Sequence, residues 1–314
     1  MRDQPTLLSE RRGVVLALGT AAISGLSVYV NAFGVKLVAD PVVYTTLKNA
    51  VAALLLVALA VAAGGAGELR GLDVRRRGGL ILIAAIGGSI PFILFFSGLA
   101  AATAPTAAFI HKTLFVWVAL LAVPLLGERL GWLQIAALAT LLLGQVLVAP
   151  PNGLGWGPGE TMIAAATLLW SVEVVVAKRL LARVSPSLLA ASRLGLGLVG
   201  LVGFLAATGR LAGLAAVPAE AWVWVIATGG LLAGYVATWY RALRHARATT
   251  VTSVLVIAAV VTAALSALTS GTAPSPTAVL GYLVIVAAVA VVAALAFGPV
   301  RGTGRAHRAL AGDD

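Results

Sequence analysis

The 314-residue chain contains no cysteine and only three histidines. Without cysteine it can form neither disulfide bonds nor thiolate metal sites, and it has no cysteine nucleophile. The histidines, His111, His245 and His307, lie far apart, and the chain contains no His-Glu-x-x-His run and no Walker loop. We therefore expect that the protein is not an enzyme, that it needs no metal or other cofactor, and that it does not use ATP directly.

Charged residues are scarce, at 11% of the chain, whereas hydrophobic residues make up 61%. The apolar residues form runs that are each close to the roughly 20 residues a helix needs to cross a bilayer. The sequence therefore predicts an all-α membrane protein with ten transmembrane helices, the first of them a retained helix rather than a secretory signal. The runs are Gly13–Phe33, Val42–Ala63, Gly79–Leu99, Pro105–Leu126, Leu130–Ala149, Pro158–Leu180, Ser187–Thr208, Ala221–Arg241, Thr250–Ser270 and Pro276–Phe297.

Lys and Arg residues crowd into alternate gaps between these runs. With the N-terminus in the cytoplasm, the cytoplasmic segments hold 17 of them and the opposite side only Lys36 and Arg210. Cytoplasmic loops are enriched in Lys and Arg, so we expect a multi-pass protein of the cell membrane with both termini in the cytoplasm. The same clusters explain the net charge of +11 through contact with anionic lipid headgroups, and no nucleic-acid partner is needed.

One long polar break, Pro150–Glu160, lies near the middle of the chain and is rich in Pro and Gly. It separates two sets of five runs, residues 13–149 and 158–297, and residues 298–314 follow as a predicted cytoplasmic tail. Because five is an odd number, a second copy of a five-helix unit enters the membrane in the opposite orientation. The sequence thus favours two inverted five-helix repeats.

Short matches between the halves support this duplication, since they occur in the same order in each half. They comprise a basic residue seven positions after a Pro, a similar tetrapeptide one run earlier and a Gly pair in the third run of each half. The matches are Pro41 and Lys48 with Pro186 and Arg193, Ser27-Val28-Tyr29-Val30 with Ser171-Val172-Glu173-Val174, and Gly87-Gly88 with Gly229-Gly230.

Five ionisable residues lie well inside the runs, away from their ends: Lys48, His111, Lys112, Glu173 and Arg193. A charge that faces lipid costs at least about 2.5 kcal/mol, so such groups usually face the interior of the bundle or a wet cavity. The helical rise places Lys48 and Lys112 in the outer half of the membrane and Glu173 and Arg193 together in the inner half. We expect the last two to pair, either as a gate or as a contact that fixes two helices.

The remaining candidates each allow two interpretations. Tyr29 is the repeat equivalent of Glu173 and would accompany Lys48, which itself either faces the cavity or extends to the interface. His111 and Lys112 are adjacent and therefore about 100° apart around a helix, so we expect only one to face the cavity. We favour Lys112 as the one that does. Histidine is pH-sensitive near neutrality, but a neutral interior residue is the favoured interpretation of His111. Trp117 and Trp170 lie deep in their runs and either line the cavity or pack helices together.

Several of these features together resemble the EamA-type transporters of the drug/metabolite transporter superfamily. The similarity includes the run Leu125-Leu126-Gly127-Glu128-Arg129-Leu130 and the run Tyr240-Arg241-Ala242-Leu243, and it extends from about Gly13 to Phe297. The chain departs from the family at Ser270-Gly271-Thr272, where no acidic residue matches Glu128. The resemblance implies transport of a small metabolite, often export, with substrates that differ widely among members.

We therefore expect a secondary transporter, most simply an exporter, of a small polar metabolite. Three basic residues against one acidic residue inside the runs favour an amino acid or another carboxylate as substrate. Efflux of drugs or cationic compounds is the alternative, followed by a membrane enzyme or a channel. Coupling to protons or another ion and the oligomeric state are left open by the sequence.

The predicted topology can be tested by cysteine labelling from outside the cell. A cysteine at Asn152, in the central connector, should react with an impermeant reagent, whereas one at Arg76 should not. Reaction at both positions, or at neither, would contradict the charge-based orientation.

Overall fold

The computed structural model describes residues 7–102, 104–150 and 156–297. In these ranges the regular structure is entirely helical, with α-helices numbered here in chain order, two short 3₁₀ helices and one π-helical segment, Ala84–Ser89. The α-helices are α1 (Leu7–Gly34), α2 (Pro41–Ala62), α3 (Gly65–Gly71), α4 (Val74–Ile83), α5 (Ile90–Leu99), α6 (Ala104–Lys112), α7 (Leu114–Leu126), α8 (Trp132–Val148), α9 (Pro158–Leu180), α10 (Pro186–Ala207), α11 (Ala221–His245), α12 (Ala248–Leu255), α13 (Ala258–Ser270) and α14 (Pro276–Phe297).

Nine helical segments of the described ranges are long and apolar enough to cross a membrane. Three of them combine shorter helices: α4 with α5, α6 with α7, and α12 with α13. The remaining predicted run, the fifth in chain order (Leu130–Ala149), corresponds to α8, which has only 17 residues because its helix begins after Gly131 and ends before Ala149. At 1.5 Å per residue it is about 26 Å long, slightly less than a typical hydrocarbon core. The prediction of a helical membrane protein is confirmed, whereas α8 is shorter than expected.

The Pro residues that match between the halves mark the starts of two helices. At α2 the Asp40 carboxylate accepts hydrogen bonds from the amides of Val42 and Val43, at 2.8 and 3.4 Å. At α10 the Ser185 hydroxyl accepts one from the amide of Leu188, at 3.2 Å. A capping side chain followed by Pro is a strong helix start, because Pro has no amide hydrogen to leave unsatisfied there.

Helix ends also recur between the halves. Among the residues that the structure describes, four glycines have a left-handed backbone, and they form two matched pairs in chain order. Gly64 and Gly209 follow α2 and α10, and Gly127 and Gly271 end α7 and α13. Glycine adopts this conformation without the steric penalty that a side chain would bring.

Helix packing follows the same correspondence. Helix α1 packs against α11 and against α12 and α13, while its counterpart α9 packs against α5 and against α6 and α7. Helices α2 and α10 pack against each other, as do α8 and α14. Each of these contacts made by a helix of one half therefore has a counterpart made by the equivalent helix of the other half. The two halves are interleaved, so each completes the core of the other.

Glycines allow the backbones of the two halves to approach closely at these crossings. A Cβ at Gly88 would overlap the carbonyl oxygen of Arg193, and one at Gly197 would lie 2.7 Å from backbone atoms of Gly88. In the matching crossing, a Cβ at Gly229 would lie 2.8 Å from the carbonyl oxygen of Lys48. Small residues at helix crossings in membranes permit this close contact. Here they bring the helices that contain Lys48 and Arg193 close to the centre of the bundle.

Buried polar contacts join the helices at one end of the bundle, called here the closed face, where α1 and α12 begin. The Glu128 carboxylate accepts hydrogen bonds from the amides of Ala248 and Thr249, at 2.6 and 3.2 Å, which caps α12. The Lys178 ammonium donates to the carbonyls of Leu243 and Ala246 at the end of α11. A carboxylate at a helix N-terminus and an ammonium at a C-terminus both complement the helix dipole.

The close crossing can be tested with two alanine substitutions on the same helix. Gly197→Ala should lower the free energy of unfolding by about 1–3 kcal/mol, because its methyl group overlaps the backbone at Gly88. Gly203→Ala is the matched control, since no atom lies within 4 Å of a Cβ there. Thermal unfolding of the purified proteins in detergent measures both effects, and equal midpoints would contradict the tight crossing.

Candidate functional site

A cavity of about 820 Å³ lies between the two halves and is lined by residues of both. At one end its lining includes Val35, Leu99 and Ser270, at or just beyond the ends of α1, α5 and α13. At the other end the lining stops at Glu173, Trp239 and Thr252, about one to two helical turns short of the ends of their helices at the closed face. The cavity thus opens towards the end of the bundle opposite the closed face, called here the open face. Its volume is in the range of small-molecule sites.

The floor of the cavity is a buried cluster of Glu173, Arg193 and Tyr240. A guanidinium nitrogen of Arg193 lies 4.0 Å from a carboxylate oxygen of Glu173, and the Tyr240 hydroxyl donates a hydrogen bond to the other oxygen. The Arg193 guanidinium also lies 5.8 Å from the centre of the Tyr240 ring. The two charges that we expected to pair at this depth are therefore in contact. Together they separate the cavity from the closed face.

A backbone carbonyl from the span of α4 and α5 completes this floor. The carbonyl of Gly87 accepts hydrogen bonds from Arg193 Nε and from the indole of Trp170, each at 3.2 Å. Four residues later stands Pro91, which has no amide hydrogen to donate back to Gly87. Gly87 also lies in the π-helical segment, where the helix is wider and its ordinary hydrogen bonding is interrupted. The local sequence thus leaves the Gly87 carbonyl available as a hydrogen-bond acceptor at the level of the ion pair.

Lys48 lies on the wall of the cavity and is nearly buried. Its ammonium donates a hydrogen bond to the side-chain oxygen of Asn31, at 3.2 Å, and lies 5.3 Å from the centre of the Phe96 ring and 6.0 Å from that of Tyr44. Within the described residues no carboxylate lies within 4.0 Å of it. Lys48 is therefore surrounded by an amide, two aromatic faces and the cavity.

The expected pairing of Tyr29 with Lys48 is absent from the structure. The Tyr29 ring packs edge-on against Phe33, with centres 5.1 Å apart, and does not line the cavity. Asn31 takes its place beside Lys48. Residues two apart lie about 200° apart around a helix, so Asn31 and Tyr29 point in nearly opposite directions.

His111 and Lys112 both line the cavity, contrary to the expectation that only one would. The His111 ring packs against Trp170 and Phe95, with centres 5.0 and 5.1 Å apart. Lys112 makes no hydrogen bond or ion pair to another described residue. A cavity this wide covers more than 100° of the helix surface, and α6 ends at Lys112, so the regular helical geometry stops there.

The two deep tryptophans have different surroundings. Trp170 lines the cavity beside His111 and donates to Gly87. Trp117 is 39% exposed on the outside of the bundle, and its indole donates to the hydroxyl of Thr113, one turn earlier in the chain. Trp117 therefore faces the lipid side and is not part of the cavity.

The sequence reasoning missed several residues of the lining. Asn31 carried a usable signal, because it is a polar residue inside an apolar run. Phe92, Phe95 and Phe96 form an aromatic wall on α5, and their clustering in the sequence also pointed to a special surface. Trp239 and Tyr235 stack on α11 with ring centres 6.0 Å apart, and only the packing of α11 against α1 places them at the cavity.

Two helices that line the cavity are interrupted at matching places. Between α6 and α7 the amides of Thr113 and Val116 bond to carbonyls three residues earlier. Between α12 and α13 the amides of Val256 and Ile257 do the same. Such 3₁₀ turns inside a helix are typical of hinges or strained segments. Each half therefore contributes one bent helix to the cavity.

The family comparison agrees with this two-fold construction. The model of the EamA-like transporter family matches the chain twice, at residues 11–149 and 157–294. The chain belongs to the EamA-like transporter family. As a member of it, the chain is a multi-pass membrane transporter with a two-repeat architecture.

A comparison with solved structures supports the same fold. A crystal structure described only as that of a protein covers 90% of this chain and 98% of its own, with a TM-score of 0.72 and 19% identity. It is one of 29 matching chains. At this identity the similarity shows the fold alone. No curated protein matches the chain.

The contribution of the buried pair can be measured by a double-mutant cycle. Glu173→Gln and Arg193→Gln should each lower the free energy of unfolding by about 3–5 kcal/mol, because each leaves the other charge buried without its partner. The double variant should lose less than the sum of the two. Thermal or denaturant unfolding in detergent gives these values.

A second ion pair provides the control for this cycle. Arg210 and Asp40 are 3.0 Å apart and partly exposed at the open face, so Arg210→Gln should cost only about 0–1 kcal/mol. Strictly additive losses at Glu173 and Arg193 would show that the two side chains do not interact.

Proposed function

We propose that this protein is a secondary transporter that exports a small metabolite bearing a carboxylate, such as an amino acid or an organic acid. The observation that supports it most is the charge of the cavity. Three basic side chains, Lys48, Lys112 and Arg193, line it together with one acidic side chain, Glu173. The acidic group already contacts Arg193, so the two lysines face the cavity without a protein counter-ion among the described residues.

An anionic substrate group lowers the energy of such a cavity. Cations in a region of low dielectric constant are unfavourable unless they are paired. A carboxylate accepts hydrogen bonds from ammonium groups, and charge-assisted bonds of this kind are the strong ones. The aromatic side chains on α5 and α11 offer apolar surface to the rest of the substrate. A small molecule with one acidic end and a less polar body therefore fits the lining.

We propose that the two repeats are inverted and together form ten membrane-crossing helices, with α8 as the shortest. The matched helix starts and ends, the exchanged packing partners and the two family matches support this arrangement. Inverted repeats allow a transporter to reach the opposite-facing state by exchanging the conformations of its halves. The present structure then corresponds to a state that is open at one face only.

In this scheme the cluster of Glu173, Arg193 and Tyr240 is the closed gate. The distribution of loop charges favours both termini, and with them the closed face, in the cytoplasm; on this proposal the cavity is open to the outside. Export then requires the Glu173 and Arg193 contact to separate when substrate enters from the cytoplasm. The expected direction rests on the usual behaviour of the family. Protons or another ion remain candidate coupling partners.

Efflux of organic cations is the second candidate, because the aromatic walls and Glu173 would suit a cation. The excess of lysines opposes it, since a cationic substrate would add a fourth positive charge to the cavity. An enzyme or a channel fits the cavity less well. Its polar groups include no metal cluster within the described residues, and its floor is closed by a buried ion pair.

The substrate charge can be tested in liposomes that contain the purified protein. Succinate, leucine and ethidium serve as acidic, zwitterionic and cationic probes. We expect transport of at least one carboxylate, and Lys48→Ala and Lys112→Ala should each reduce it about tenfold or more, since a hydrogen bond to a charged group contributes about 1.5–3 kcal/mol.

Lys36→Ala provides the matched control, because Lys36 is exposed beyond α1 and does not line the cavity. Its transport rate should equal that of the unmodified protein. Transport of ethidium alone, with no effect of either cavity lysine, would favour the cation-efflux alternative and overturn the proposal.

A further inference from the structure

The two repeat-related cations are neutralised differently. Arg193 on α10 has the Glu173 carboxylate beside it, whereas its counterpart Lys48 on α2 has only the amide oxygen of Asn31. Asn31 carries no charge, so it satisfies one N–H group of the ammonium but does not balance its charge. Tyr29, which occupies the position that matches Glu173, faces away from Lys48. One half of the cavity thus contains an acid that the other half lacks.

The other groups around Lys48 do not provide the missing charge. Lys112 is a second cation in the same cavity. The Glu173 oxygens are occupied by Arg193 and by the hydroxyl of Tyr240. Asp40, at the start of the helix that carries Lys48, caps that helix and pairs with Arg210. Among the described residues, no carboxylate lies within 4.0 Å of the Lys48 ammonium.

In the present state this imbalance is tolerable because the cavity is open. Lys48 lines the cavity, so water that enters from the open face can hydrate its ammonium. Lys48 is already about as buried as Arg193, with 7% and 6% of their surfaces exposed, so its hydration comes from the cavity alone. If the open half closes as the other half is closed now, that water leaves. A buried ammonium without a counter-ion is strongly unfavourable.

We propose that the carboxylate of the substrate is the counter-ion that Lys48 lacks, so that the open half closes readily only when substrate is bound. This inference rests on the proposed function and adds a consequence for its kinetics. The loaded protein changes conformation quickly, whereas the empty protein changes slowly. Exchange of substrate across the membrane is then faster than net transport.

The first experiment compares these two rates for the purified protein in liposomes. Efflux of a radiolabelled carboxylate, succinate or leucine, is measured with and without the same unlabelled compound outside. We expect efflux to be roughly tenfold or more faster with the compound outside, because only the loaded protein returns quickly. Lys48→Met, which removes the charge but keeps a long side chain, should bring the two rates close together. Lys48→Arg should keep them apart, and Lys36→Met should have no effect.

The second experiment observes closure directly. Because the chain has no cysteine, a single cysteine can be placed at Ser270, on the lining near the open face. Its reaction with an impermeant thiol reagent from that face should slow severalfold when the carboxylate is added. In the Lys48→Met background the reaction should be slow even without substrate. A cysteine at Leu211, exposed between α10 and α11, should react at the same rate throughout.

The outcomes separate this inference from the proposed function. If neither carboxylate is transported by the unmodified protein, the proposed function fails. If a carboxylate is transported but exchange and net efflux have equal rates, the function stands and the role of Lys48 as the unpaired cation is wrong. This comparison uses the unmodified protein, so it decides the point even if Lys48→Met does not fold.

Discussion

The carboxylate of Glu173 and the guanidinium of Arg193 meet where the bundle excludes water, and much of the surrounding structure follows from the need to keep them satisfied there. Arg193 also requires the free carbonyl of Gly87, which Pro91 cannot bond. That carbonyl is within reach because glycines at 88 and 197 let the two backbones approach closely. The π-helical segment, the glycine crossing and the ion pair are therefore parts of one arrangement.

The same constraint explains the contacts at the closed face. A buried helix end leaves amides or carbonyls without partners inside the helix, so it needs partners from the rest of the protein. Glu128 caps the start of α12 and Lys178 caps the end of α11. This gives a physical role to the Gly127-Glu128 pair of the family motif: the left-handed glycine ends α7, and the next residue caps the helix that packs against it. The second half ends the matching helix at Gly271 in the same way, but Thr272 cannot supply a carboxylate.

The sequence was sufficient for features that depend on position along a helix. Most span lengths, though not that of α8, the starts at Pro41 and Pro186, and the shared depth of Glu173 and Arg193 follow from rise per residue and capping chemistry. Features that depend on how each helix is rotated about its own axis could not be predicted from the sequence. Depth alone could not show that Asn31 rather than Tyr29 faces Lys48, or that Trp117 faces outwards, because these depend on which neighbours each helix packs against.

The interruptions after Lys112 and after Leu255 bear on how such a bundle can change shape. Both keep their backbone amides bonded to carbonyls three residues earlier, so bending there does not expose unpaired groups to lipid. The two interrupted helices lie in matching positions of the repeats, and α7 packs against α12. The cavity lysine Lys112 and the capped helix α12 are thus adjacent to points where the chain can bend at low cost. The interruption after Lys112 thus places one of the cavity charges directly beside a break in the regular helix.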